Sequence, residues 1–237
     1  MKSEEIAKLA GVSRSTVSRV LNNNSYVSKE TRDKILQVIQ EYKYVPNHSA
    51  QVLAGKSANV IGLFIIAVYD VNRSSGIYND NYFAPLLDAV VDRANYNDSY
   101  VLVNTIYTES DYDKIREAYF QRRIDSVIIV GNENAHLVEL MKLGIPMVMI
   151  GYDPMQLPEN VGDYRIGVIH PTDYEGACDA MEYLISLRHR KIGILNGNFG
   201  ALSARERFRA YRDTMEKHQL PIQDEYVLQG SYRTYVA

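Results

Sequence analysis

Two hydrophobic rhythms divide this 237-residue chain. Up to about residue 58, apolar side chains recur at helical spacing in short stretches. From residue 60 the pattern becomes near-continuous apolar runs, at 60–68, 100–106, 125–130, 146–150, 166–169, 191–195 and 225–228. Between most of them lie amphipathic stretches that predict helices at about 83–97, 110–122, 134–143, 174–187 and 203–218. Buried strands alternating with helices predict a parallel sheet covered on both faces. Residues 151–165, with Gly151, Pro154, Pro158 and Gly162, break the alternation. They predict a border between two α/β lobes, with a ligand crevice at the C-terminal ends of the strands.

The first 58 residues predict a compact helical head. Helix 1 spans about 3–10, with Ser3 as its cap, Glu4 and Glu5 in the first turn, and Ile6 and Leu9 on the apolar face. Gly11 supplies a turn that needs positive φ. Ser13 caps a second helix running to about Leu21, with Val17, Val20 and Leu21 inward and Arg14, Ser15, Ser18 and Arg19 left on the other face. After a loop at 22–25, Ser28 caps a third helix, reaching about Tyr42, with Ile35, Leu36 and Ile39 spaced for the core. Pro46 ends that unit. Asn47 and Gly55 bracket a segment of about eight residues, and isolated helices below ~12–15 residues are marginal in water. It is therefore expected to stay largely disordered until something packs on it.

Charge sharpens the division. Residues 1–58 hold nine Lys/Arg and five Asp/Glu, a net of +4, whereas the remainder carries −7 of the chain's −3 total. A basic head on an acidic body fits contact with phosphate at one end only. The single cysteine, Cys178, excludes an internal disulfide framework and reads as a small buried hydrophobe in a reducing compartment. The N-terminus has no signal-peptide pattern, and no apolar run approaches the ~20 residues of a membrane span.

Helix, glycine turn and second helix followed by a capped short segment and a long α/β stretch resemble the lactose-repressor/galactose-repressor family of bacterial transcription regulators. The resemblance is carried by Ile6-Ala7-Lys8-Leu9-Ala10-Gly11-Val12-Ser13, Thr16-Val17-Ser18-Arg19-Val20-Leu21-Asn22, Val27-Ser28 with Thr31-Arg32, and Tyr44 with Pro46-Asn47. It continues through Leu53-Ala54-Gly55-Lys56 and Ile61-Gly62-Leu63, and reaches Ser203-Ala204-Arg205 with Arg207 and Tyr211. It implies an all-α three-helix head at 1–46, a hinge helix and linker at 47–58, and a two-lobed α/β body related to periplasmic sugar-binding proteins. The lobes are expected at 59–152 and 153–237, both partial. Members of that family run on beyond the point matched by Ala237, so an incomplete second lobe that binds effector poorly is expected of the 237-residue chain. The implied partners are double-stranded DNA with a pseudo-palindromic operator, a carbohydrate-like effector, and a second copy of the chain. No membrane contact, no cofactor and no metal are expected, and the localisation implied is cytoplasmic, on the nucleoid.

In the head, the N-terminal part of helix 2 is expected in the major groove, which selects Arg14, Ser15 and Thr16, with Ser18 and Arg19 a turn later. Arg19, and then Arg14, are the candidates for a bidentate fork on guanine; the alternative for each is phosphate or solvent. Ser13, Asn22, Ser28 and Thr31 are expected to hold phosphates and cap helices, and Tyr44 either does this or packs on the core. Asn47, Ala50, Leu53, Ala54 and Lys56 complete the DNA set. By resemblance Leu53 is the wedge that opens a central base step in the minor groove, with Ala50 and Ala54 keeping the paired helices close. The alternative for Leu53 is an apolar anchor.

For the effector, Arg207 matches the arginine with which the family binds ligand oxygens. Asp70, Tyr82 and Phe83 belong to a segment at 69–83 that is longer than its family counterpart, and either closes over the cleft or loops out on the surface. Asp153 is a further candidate. Gly55-Lys56-Ser57 lacks the first glycine of a phosphate loop and follows a helix. Residues 196–200 read as a turn at the cleft edge. The five histidines lack metal spacing and no nucleophile elbow is present. These absences alone do not exclude catalysis, but the DNA-reading head supplies the better account, so the expectation is a regulator and not an enzyme. The rivals are a sugar-binding protein or enzyme of the body fold, and a family member controlled by a phosphorylated carrier protein. The last would need a basic patch, and helix 83–97 offers only Arg93 against Asp88 and Asp92.

Overall fold

The computed structural model describes residues 1–67, 82–131, 135–157 and 165–230. The chain separates into two compact units, Met1–Ala58 and Asn59–Ala237.

In the first unit α1 (Ser3–Ala10), α2 (Arg14–Leu21) and α3 (Lys29–Glu41) enclose Ile6, Ala7, Ala10, Val17, Val20 and Ile35. Two positions differ from the periodicity reading: Leu9 and Leu36 are exposed, and Ala7 and Ala10 take the inner face of α1. Small residues let three short helices approach closely, so the core is made from alanines as well as from the larger side chains. The α1 cap also differs. Lys2 holds the cap position and Ser3 is the first helical residue, because the Glu5 carboxylate reaches back to the Lys2 N–H at 2.6 Å. Gly11 adopts φ 66°, and the Val12 N–H returns to the Ala7 carbonyl at 2.9 Å, which closes α1 and turns the chain into α2.

α4 (His48–Leu53) is formed, against the expectation of disorder. The Asn47 side chain accepts the Ala50 N–H at 3.2 Å, the Ala54 N–H returns to the Ala50 carbonyl, and Val52 is buried. A satisfied first turn and one buried branched side chain supply what propensity alone does not.

The second unit opens with a five-stranded parallel sheet of order β2-β1-β3-β4-β5. Its strands are β1 (Val60–Ile66), β2 (Tyr100–Ile106), β3 (Ser126–Val130), β4 (Met147–Ile150) and β5 (Ile166–Ile169). Strand β1, flanked by β2 and β3, places Leu63 opposite Val103 on one side and Ile128 on the other. Successive side chains take opposite faces. Leu63 and Ile65 pack beneath Phe83, Leu86, Leu87 and Val90 of α5 (Phe83–Tyr96), while Phe64 joins Ile115 and Ala118 of α6 (Asp113–Phe120) and Leu137, Leu140 and Met141 of α7 (Ala135–Lys142). Both faces are thus covered, which is why the strands read as unbroken apolar runs.

β5 pairs in parallel with β4, Met147 opposite Ile166. The first sheet therefore extends to residue 169, past the lobe border expected at 152/153. The proline- and glycine-rich stretch thus lies between two paired strands of one sheet, a position that composition does not distinguish from a linker. Beyond it, α8 (Asp173–Ser186) and α9 (Leu202–Lys217) pack with the parallel pair β6 (Ile194–Asn196) and β7 (Val227–Gln229) around Met181, Ile185, Ile192, Tyr211 and Met215. The buried Tyr211 hydroxyl donates to the Ile192 carbonyl at 2.9 Å, and burial raises its pKa. No helix among the described residues is long and apolar enough to cross a membrane.

Candidate nucleic-acid interface and effector cleft

The first turn of α2 is built from its own side chains. Ser13 Oγ accepts the Thr16 N–H at 3.2 Å and lies 2.8 Å from both Ser15 Oγ and Thr16 Oγ1. A cluster of hydroxyls on a helix N-terminus presents donors together with the positive end of the helix dipole, a surface suited to phosphate. Val17 and Val20 fix the opposite side in the core. Arg14 is exposed and pairs with Glu4 of α1 at 3.4 Å, whereas Arg19, exposed in the last turn, has no ion pair among the described residues. Asn22 donates to Ser18 Oγ at 3.5 Å, the outer limit of a hydrogen bond.

α3 repeats the same construction. Ser28 Oγ accepts the Thr31 N–H at 3.3 Å and donates to Thr31 Oγ1 at 2.8 Å. Tyr44 is half-buried against the helical core, so its ring packs inward. Arg32, which the sequence reading quotes only as part of a motif, donates to Asn23 Oδ1 at 2.9 Å and to the Asn24 carbonyl at 2.6 Å. It thereby clamps the loop that leaves α2, where Asn23 sits at φ 54°. In α4, Leu53 is 84% exposed although it is a leucine next to the buried Val52. Ala50, Ala54 and Lys56 are exposed around it.

The effector candidates sit where parallel strands end. Asp153 follows β4, Asp173 follows β5, and Arg205 and Arg207 follow β6 on the first turns of α9. Tyr82 and Phe83 open α5, with their rings edge-to-face at 5.3 Å. Asp70 lies outside the described residues. The structure does not join Asp153 to Arg207. Asp153 accepts the Met155 N–H at 2.9 Å and pairs with Arg205 at 3.6 Å, and Arg205 also donates to the Gly200 carbonyl at 3.1 Å. This tethers the turn at 196–200, in which Asn198 Oδ1 accepts the Gly200 N–H at 2.8 Å.

Arg207 instead reaches Asp173, with Nε at 2.8 Å and Nη2 at 2.7 Å from Oδ1. Tyr82 belongs to this group. Burial raises its hydroxyl pKa, the Asp173 charge adds to the rise, and the Arg207 charge opposes it. Asp173 escapes the sequence reading because an acid in the first turn of a helix is explained by the helix dipole alone. Its position directly after a strand end is the signal that marks it. A cavity of about 480 Å³ adjoins the pair, lined by Thr172, Asp173 and Arg207 at its polar end and by α8 and β6 residues such as Ala177, Met181 and Ile194 elsewhere. Among the described residues no group of three or more His, Cys, Asp or Glu could hold a metal ion.

Comparison with known proteins places this architecture. The model of bacterial regulatory proteins of the lacI family matches residues 4–47, and that of periplasmic binding proteins and the sugar-binding domain of the LacI family matches residues 67–235. The chain belongs to the LacI family. Curated relatives include the "Probable HTH-type transcriptional repressor ExuR" of Bacillus subtilis, 31% identical over 232 residues, which cover 97% of this chain and 64% of that protein. The HTH-type transcriptional repressor PurR of Haemophilus influenzae is 27% identical over 235 residues, 97% of this chain and 64% of its own length. The chain thus spans just under two thirds of the length of these relatives. Among solved structures, the lac repressor dimer bound to operator and the anti-inducer ONPF superposes with a TM-score of 0.75 at 26% identity, over 98% of this chain and 66% of that one.

Proposed function

We propose that the protein is a sequence-specific transcription regulator, most simply a repressor, whose operator affinity is set by a small molecule held between the two α/β lobes. The observation that carries this reading is the exposed, hydroxyl- and arginine-bearing side of α2, presented by a packed three-helix core on the same chain as a parallel α/β unit of the sugar-binding type. In this account Arg19 reads a base and Arg14, Ser15, Thr16 and Ser18 stand beside it in the major groove. Ser13, Asn22, Ser28 and Thr31 meet phosphates. Asn47 starts the hinge helix, Ala50 and Ala54 let two copies approach, Leu53 enters the minor groove, and Lys56 adds charge near the backbone. The regulator acts as a homodimer in the cytoplasm, on the nucleoid, and performs no catalysis.

Effector control needs a two-state element, and α4 is suited to it. Six residues sit at the margin of helix stability, so a change in the spacing of two copies shifts the helix population in both. Asp153, Arg207, Tyr82 and Phe83 form the effector end, with Asp70 from the 69–83 segment.

Selection of bound duplexes from random DNA tests the DNA half: a dyad-symmetric winner is expected, and a winner without symmetry defeats the dimeric hinge model. Removing residues 1–58 and assaying the remainder for ligand binding and turnover tests the rest. Turnover of a sugar would favour an enzyme of the body fold instead.

A further inference from the structure

Asp173 is the least expected member of the cleft. Its side chain is 7% exposed, yet only Oδ1 is engaged, receiving both Nε and Nη2 of Arg207. Oδ2 has no hydrogen-bond partner among the described residues, and neither does Arg207 Nη1. A largely buried carboxylate oxygen without a donor is uncommon in folded proteins and calls for an explanation. Here the two unused groups lie on one ion pair: an acceptor on the carboxylate and a donor on the half-exposed guanidinium. Neighbouring hydroxyls of a polyol match that arrangement, one donating to Oδ2 and the other accepting from Nη1.

The charge balance narrows the class further. Arg207 is neutralised by Asp173, and Arg205, two residues earlier on the same helix, pairs with Asp153. The fifth polar group, the Tyr82 hydroxyl, is neutral with a raised pKa. An anionic group entering here would compete with Asp173 for Arg207 and leave a buried carboxylate without its partner, which is costly.

Building on the effector reading above, we propose that Asp173 is a ligand-contacting specificity residue, and that the Asp173–Arg207 pair selects an electroneutral polyhydroxylated ligand over its carboxylate or phosphate counterpart.

Calorimetric titration of the full chain with glucose, glucuronate and glucose 6-phosphate, and with the same trio in the galactose series, tests this. The neutral member of a series should bind at least about tenfold more tightly than its acid and its phosphate, the scale of one hydrogen bond to a charged group. Asp173→Asn should weaken the neutral sugar by about tenfold and strengthen the acid or phosphate, because the unpaired Arg207 then offers a net positive site. A purely structural role for Asp173 would weaken every ligand together and gain none. Circular dichroism of the variant checks folding, and the wild-type ratio stands without it. An acid or phosphate that binds wild type as well as the neutral sugar overturns the proposal while leaving the effector reading intact. The same holds for a neutral sugar whose affinity Asp173→Asn leaves unchanged. If no member of either series binds, the proposal falls.

Discussion

Arg19 and Arg14 stand in different electrostatic surroundings although both lie on α2. Arg14 has a carboxylate partner in α1, and Arg19 has none among the described residues. Replacing Arg19 with Ala should cost about 1–3 kcal/mol on the selected operator and relax preference at one base position. Replacing Asn22, proposed to meet a phosphate, should weaken all sequences alike; binding selections repeated with each variant separate the two. In the body, Asp111 accepts the N–H groups of Tyr107 and Thr108 at 3.0 Å each and pairs with Lys114 at 2.7 Å. The Lys114 contact first, and the backbone donors with it, hold its carboxyl down to about 2. A folded-state pKa below the unfolded value stabilises the protein above the unfolded value and loses that contribution on acidification. Asp111→Asn should therefore lower Tm near neutrality, and the gap to wild type should close as pH falls from 3.8 toward about 2, as thermal melts at several pH values would register.

What was legible in the sequence at this scale followed range. Ser13, Ser28 and Asn47 act on N–H groups three residues away, so each cap could be named from local order. Asp173 and Arg207 are 34 positions apart, and Arg205 meets Asp153 across 52. Nothing in either local pattern pairs them. The fold does, by bringing α9 to the residues that follow β4 and β5.

Elements were read more completely than their borders. Strand runs were visible because both faces are buried, and helices because one face is. The lobe border was not, since β5 is a short strand with the exposed Ile169 at its end and its membership depends on pairing with β4. The hinge segment was visible but its state was not, because a single cap and one buried Val52 tip a helix that propensity leaves undecided. Two predictions belong here. Leu53→Ala should weaken operator binding far more than non-specific binding, measured by anisotropy on both duplexes, whereas equal losses would count against a wedge. Gly131 follows β3 at φ 134°, and a Cβ there would lie 2.7 Å from Ile66 Cβ at the end of β1. Gly131→Ala should cost about 2 kcal/mol of stability in denaturant titration, from a strained backbone and a contact with no flexible side chain to yield.

At the scale of the whole molecule the charge asymmetry, the caps and the strand ends point the same way. A basic head carries α2, the helix proposed to read DNA, on a small core, and an acidic body has ion pairs beyond the C-terminal ends of its strands. The link between them is a six-residue helix near the limit of stability. Operator binding should fall steeply with salt, as expected when lysines and arginines displace counterions. The central claim is that occupancy of the cleft and occupancy of the operator are coupled, and thermodynamic linkage requires that coupling to be reciprocal. The most direct measurement is operator affinity of the full chain with and without a saturating neutral sugar, paired with sugar affinity with and without operator. The account predicts a change of at least about fivefold, by the same factor in both directions. An operator affinity that does not move while the sugar is demonstrably bound would contradict it.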